Sequence, residues 1–140
     1  MMAAEVIASL GLEPHPEGGH FRQTWAAPAR PGERPGATTI LFLLAEGERS
    51  HWHRVTDADE AWLFQAGAPL VLSMAETAAG PAREVRLGPP GEGQPQAVVP
   101  AGWWQAARGT GAWTLVGCVV SPGFTYDSFV LAPPGFEVPS

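Results

Sequence analysis

The sequence predicts an all-β domain, a sandwich or closed barrel, on three observations. Its 17 glycines and 15 prolines are dispersed between apolar runs rather than pooled, the texture of short strands joined by tight turns. About eight to ten such runs fall within about a hundred residues, the density of sandwiches and barrels. Only one segment, close to the start, has helical periodicity.

That segment is Ala3 to Leu10, where Val6, Ile7 and Leu10 share a helical face and Gly11 stands where a helix stops. Pro14, Pro16, Gly18 and Gly19 then forbid regular structure until about His20, after which a strand through Trp25 is expected. Residues 26–36, rich in Pro, Gly and Arg, read as a surface loop. From Ala37 onward come the strand candidates ATTILFLLA, SHWHRV, EAWLFQA, PLVLSMA, AREVRLG, QAVVPA, WWQAAR, AWTLVGCVVS and FTYDSFVLA, nearly all separated by Gly, Pro or an Asp-rich turn. The expected organisation is one domain, with helix and loop over 1–19 and the barrel over 20–132.

Composition excludes several functions. The net charge is −6, lysine is absent and the arginines are scattered, so there is no basic face for nucleic acid. No long apolar run suggests a membrane span and no basic start suggests a secretion signal. Cys118 is the only cysteine, which rules out an internal disulfide and fits a cytoplasmic protein with a buried thiol. A small-molecule ligand is the expected partner.

The chemistry concentrates between Gly47 and Gly67. His51 and His53 are two apart, and a strand sends residues i and i+2 to one face. The turn-rich run Thr56, Asp57, Ala58, Asp59 lets a second strand fold back and bring Glu60 to the two imidazoles. Two histidines and a carboxylate form the ligand set of open divalent-metal sites. Without metal, a carboxylate that holds His53 in one tautomer makes an acid–base pair able to move a proton beside a carbonyl. Trp62 and Phe64 share a face with Glu60 and offer an apolar wall, or simply fill the barrel. The His15, Glu17, Gly18, Gly19, His20 run reads as a loop; beyond it, Arg22 or Gln23 is a candidate to reach the pocket mouth or a partner subunit. Phe124, Tyr126 and Phe129 are expected to cover an opening or a dimer seam.

Gly47, His51, His53, Glu60 and Gly67 resemble the first signature of the cupin superfamily, and Pro100, Gly102 and Gln105 echo the second. Two departures stand out: the gap from His53 to Glu60 is long, and Gln105 replaces the second signature's histidine. Together with PHPEGGHFRQT, VPAGWWQA and VSPGF, these features look like the branch of small single-domain cupins of unassigned function. The resemblance implies a double-stranded β-helix, or jelly-roll barrel, with a short N-terminal helix, a homodimer and a pocket at the barrel centre. It places His53 and Glu60 deepest in that pocket, with His51 and Gln105 beside them, and strand parity with Gln105 puts Trp103 rather than Trp104 inside. His51, His53, Glu60 and Gln105 are the candidate ligands of a divalent metal (Fe, Mn, Zn or Ni), although an amide oxygen is a poor donor. Otherwise Gln105 donates to a substrate oxygen. Comparison with the sugar-nucleotide epimerases of rhamnose synthesis is fold-level analogy. Three functions are therefore expected to compete. One is isomerase- or epimerase-like proton transfer on a carbohydrate or small acid, the second a metal-dependent oxygenase or decarboxylase, the third ligand binding without turnover.

Overall fold

The computed structural model describes residues 1–140. A single α-helix, α1 (Ala3–Leu10), precedes eleven strands: β1 (Glu13–Pro14), β2 (His20–Ala26), β3 (Thr38–Ala45), β4 (Arg49–Val55), β5 (Asp59–Gly67), β6 (Leu70–Ala75), β7 (Arg83–Leu87), β8 (Gln96–Val99), β9 (Trp104–Gly109), β10 (Trp113–Ser121) and β11 (Phe129–Leu131). The Glu5 carboxylate accepts the Met2 N–H at 2.9 Å and so closes the start of α1. Gly11, with φ +64°, ends it in the left-handed conformation.

The strands form two antiparallel sheets, ordered β1-β2-β3-β10-β5-β8 and β11-β4-β9-β6-β7. Their inner faces meet in one apolar cluster. β3 contributes Phe42 and Leu44, β5 Trp62, β6 Leu70, Leu72 and Met74, β9 Ala107 and β10 Val116 and Cys118. Period-two alternation accounts for this, since each strand sends every second side chain inward. Fully burying a side chain of this size contributes about 1.5–3 kcal/mol, so the cluster is the main source of stability. This is the jelly-roll barrel expected from the sequence.

Both outer faces are covered. α1 lays Val6 against Leu43 and Leu12 on the first sheet. On the second sheet Trp52, Ala75 and Ala106 pack beneath Ala132 and Val138, with Trp104 against Phe136. The chain after β11 is therefore a strap, fixed by the Ala82 N–H to Pro139 carbonyl bond of 2.7 Å.

One irregularity positions the site. The β4–β9 pairing shifts register between Ser50 and His53, a bulge that breaks the simple alternation. Ser50 and His53, three residues apart, both point inward as a result.

Candidate functional site

A cavity of about 130 Å³ opens at one mouth of the barrel. Glu60 reaches it from β5 and His53 from β4, while Gln23 and Phe21 line it from β2. His15 and Glu17 enter from the loop ahead of β2, and Phe124, Tyr126 and Phe129 close the opposite wall. A larger groove, about 610 Å³, lies on the outer face beside the C-terminal strap. Its charged side chains pair with one another, Arg49 with Glu137 at 3.6 Å and Arg108 with Glu84 at 3.4 Å, and being exposed they define no enclosed site.

The loop that delivers Glu17 is held against the barrel by backbone. His15 N–H donates to the Gly19 carbonyl at 3.0 Å, and His51 N–H donates to the Glu17 carbonyl at 2.7 Å. A Cβ on Gly18 would collide with the Arg49 carbonyl and one on Gly19 with the Leu43 carbonyl, and both residues have positive φ. Only glycine lets this loop lie so close.

The proton positions follow from the hydrogen bonds. His53 Nδ1 lies 2.7 Å from the His51 carbonyl; a carbonyl only accepts, so Nδ1 carries the proton and, in the neutral ring, Nε2 offers a lone pair. That Nε2 is 3.3 Å from Glu17 Oε2. His15 Nδ1 accepts the Glu17 amide N–H at 3.1 Å, so it has no proton to give Glu17 Oε1, 3.2 Å away. Geometry thus favours a protonated Glu17 between two neutral imidazoles, with the Ser50 hydroxyl donating to Oε2 as well. Burial acts in the same direction, raising the Glu17 carboxyl and lowering both His15 and His53.

Glu60 is raised to about 7, chiefly by burial, against the opposing pull of His53. Its Oε1 accepts from Gln105 Nε2 at 3.0 Å, and Gln105 Oε1 in turn accepts the Trp62 indole N–H at 2.8 Å. Cys118 is buried beside Glu60, and burial pushes its thiol well up, so it stays protonated.

Several expected placements are revised. The expected hairpin pairing forms with one histidine only: Glu60 acts on His53, His51 is turned away, and Glu17 adds a second carboxyl against His53 at 3.3 Å. His51 does not join the site: the bulge turns its ring away, and Nε2 donates to the Pro133 carbonyl at 3.0 Å in the strap. Gln105 is inside, bonded to Trp62 and Glu60, and does not line the cavity. Trp62 and Phe64 pack in the core below the cavity. Trp103 is on the inner side as parity requires, but it packs on that core under Arg83, whose guanidinium carbon lies 5.9 Å from the ring. Arg22 points away, donating to the Leu10 carbonyl at 2.8 Å, whereas Gln23 does line the cavity. The residues do not fit the expected metal site, because of its four candidate ligands His51 faces the strap and Gln105 is a neutral amide whose oxygen is bonded to the Trp62 indole. No group of three or more His, Cys, Asp or Glu side chains is arranged to hold a metal ion. His15, Glu17 and Ser50 were missed; the signal was a His-x-Glu pair set among glycines.

A jelly-roll barrel with a partly polar interior open at one mouth defines a cupin-type fold. The chain belongs to the Cupin_5 family, described as "Cupin superfamily (DUF985)", whose model matches residues 4–132. Among solved structures it is similar to protein SO0799 of Shewanella oneidensis, at 38% identity and TM-score 0.86, covering 94% of this chain and 85% of that one. A hypothetical protein from Leishmania major matches at 30% identity and TM-score 0.85, covering 97% of this chain and 90% of the other. Oxalate decarboxylase of Bacillus subtilis shares the fold alone, at 14% identity and TM-score 0.64, covering 85% of this chain and 29% of that one. No curated protein matches. No helix is long and apolar enough to cross a membrane.

Proposed function

We propose that the chain binds a small polar molecule at the barrel mouth and moves a proton on it. The observation that carries this reading is Glu60, a buried carboxyl on the cavity wall raised to about 7. A group with that value exchanges its proton with least driving-force penalty near neutral pH. Glu17 and His53 supply a second proton-holding pair on another part of the wall, which suits a reaction that removes a proton and returns one. The cavity, about 130 Å³, is well below the roughly 300–1,000 Å³ of drug-sized sites. The ligand is accordingly a small metabolite or the end of a larger one.

The test is proton exchange from a panel of small carbonyl compounds in deuterated water, followed by NMR. His53→Ala and Glu60→Gln are expected to slow exchange on the responsive compound by about 10²–10⁴-fold, with unchanged circular dichroism. Wild-type rates in both variants would sink the assignment. Binding without turnover is the rival. It predicts a ligand recovered chemically unchanged after long incubation.

A further inference from the structure

The cationic side chains of this chain are all engaged away from the cavity. There is no lysine among its 140 residues. Arg22 is bonded to the Leu10 carbonyl, Arg34 to Asp57 and the Gly123 carbonyl, and Arg86 to the Glu92 carbonyl. Arg30, Arg49 and Arg108 pair with Glu33, Glu137 and Glu84. Arg54 and Arg83 lie over Trp104 and Trp103, 5.2 and 5.9 Å from the ring centroids. None of the eight lines the cavity.

What lines it is of the opposite character. Two carboxyls, Glu17 and Glu60, face it, and so do two imidazoles whose hydrogen bonds leave a lone pair, not a proton, toward Glu17. Of the other eight lining residues four are aromatic, Phe21, Phe124, Tyr126 and Phe129. Phe124, Tyr126 and Phe129 meet edge to face with centroids 5.0, 5.7 and 5.9 Å apart, and Phe129 lies 5.5 Å from the His53 ring. An anion entering here finds no positive partner, and its charge opposes the ionisation of Glu17 and Glu60. A cation finds carboxyls, whose ionised form it stabilises, and ring faces carrying negative quadrupole charge.

We propose that the ligand of this pocket is a small amine in its ammonium form, its N–H groups directed at Glu17 and Glu60 and its alkyl part against Phe124, Tyr126 and Phe129. This rests on the reading of the cavity as a ligand site, and it is an alternative to the carbohydrate or small acid expected from the sequence.

Three probes of nearly equal shape separate charge from size: n-butylammonium, n-butanol and butanoate, titrated calorimetrically into the full chain at slightly alkaline pH. The ammonium is expected to bind about tenfold more tightly than the alcohol, and butanoate to give no saturable binding. Phe129→Leu keeps an apolar wall but removes a ring face, so it should lower affinity for the ammonium several-fold more than for the alcohol. Butanoate binding as tightly as the ammonium, or alcohol and ammonium binding equally, overturns the charge preference and leaves the pocket reading standing. Binding by none of the three also overturns it, and the pocket reading is then decided by the deuterium-exchange experiment.

Discussion

The two ends of the barrel interior are built from the same strands in different ways. Along β5 the inward residues run Glu60, Trp62, Phe64, and along β10 Val120, Cys118, Val116. Moving away from the cavity, polar groups give way to hydrocarbon, and at the far end Leu44, Leu70, Leu72 and Leu87 are fully buried with no polar partner among them. At the cavity end Glu17, Ser50, His53, Glu60 and Gln105 are also buried, and each depends on a neighbour for its hydrogen bonds. The apolar end supplies the stability that lets the polar end keep raised carboxyls and neutral imidazoles out of water.

Three changes test that division, in decreasing order of effect. Leu72→Ala, at the apolar end, is expected to cost about 2–5 kcal/mol, read from denaturant unfolding. A cost below about 1 kcal/mol would mean that end is not the stabilising half. Gln105→Leu fills similar space but strands the Trp62 indole N–H and removes the donor from Glu60, costing about 1–3 kcal/mol. Its signature is a further rise of the Glu60 titration, followed by NMR of the carboxyl carbon; an unmoved titration would show that the Gln105 bond does not hold the carboxylate.

The smallest effect is a pH dependence. Glu60 is raised from 4.5 to about 7 on folding, so between those values the folded chain keeps a proton that the unfolded chain has lost. Stability from this group therefore falls as pH rises through that window and levels off above it, the change being shared with Glu17 and His53, to which its titration is coupled. The lowered His15 and His53 act in the opposite sense, their contribution rising with pH up to the ordinary histidine range near 6.5. Glu60→Gln isolates the carboxyl: relative to wild type it should gain stability at pH 8 compared with pH 5. An equal difference at both pH values would remove Glu60 as a buried titrating group.

The same contrast decides what the sequence could tell, where local pattern gives the strands and the helix and the family resemblance supplies the jelly-roll arrangement and the inward side of Gln105. The apolar end is written in alternating strands punctuated by Gly and Pro, and its strands and its helix at Ala3–Leu10 follow from that pattern, while the inward side of Trp103, counted from Gln105, came with the resemblance. The polar end draws its groups from a loop at residues 15–19, from a bulge in β4 and from the segment at residues 124–129. Spacing locates His53 and Glu60, because they sit on strands. It does not locate Glu17, whose place depends on backbone bonds to His51 and on two glycines pressed against distant carbonyls. The parity argument for His51 failed at the one step where β4 gains a residue relative to β9.

That extra residue has a further consequence. At position 51 the useful atom is the main-chain oxygen, which fixes the His53 tautomer, while the imidazole serves the strap. A histidine restored at position 105 would thus meet one imidazole from the hairpin, not two. Recreating a three-nitrogen metal cradle in this barrel would require deleting a residue of β4 to reset its alternation, and the same deletion would move Ser50 off Glu17.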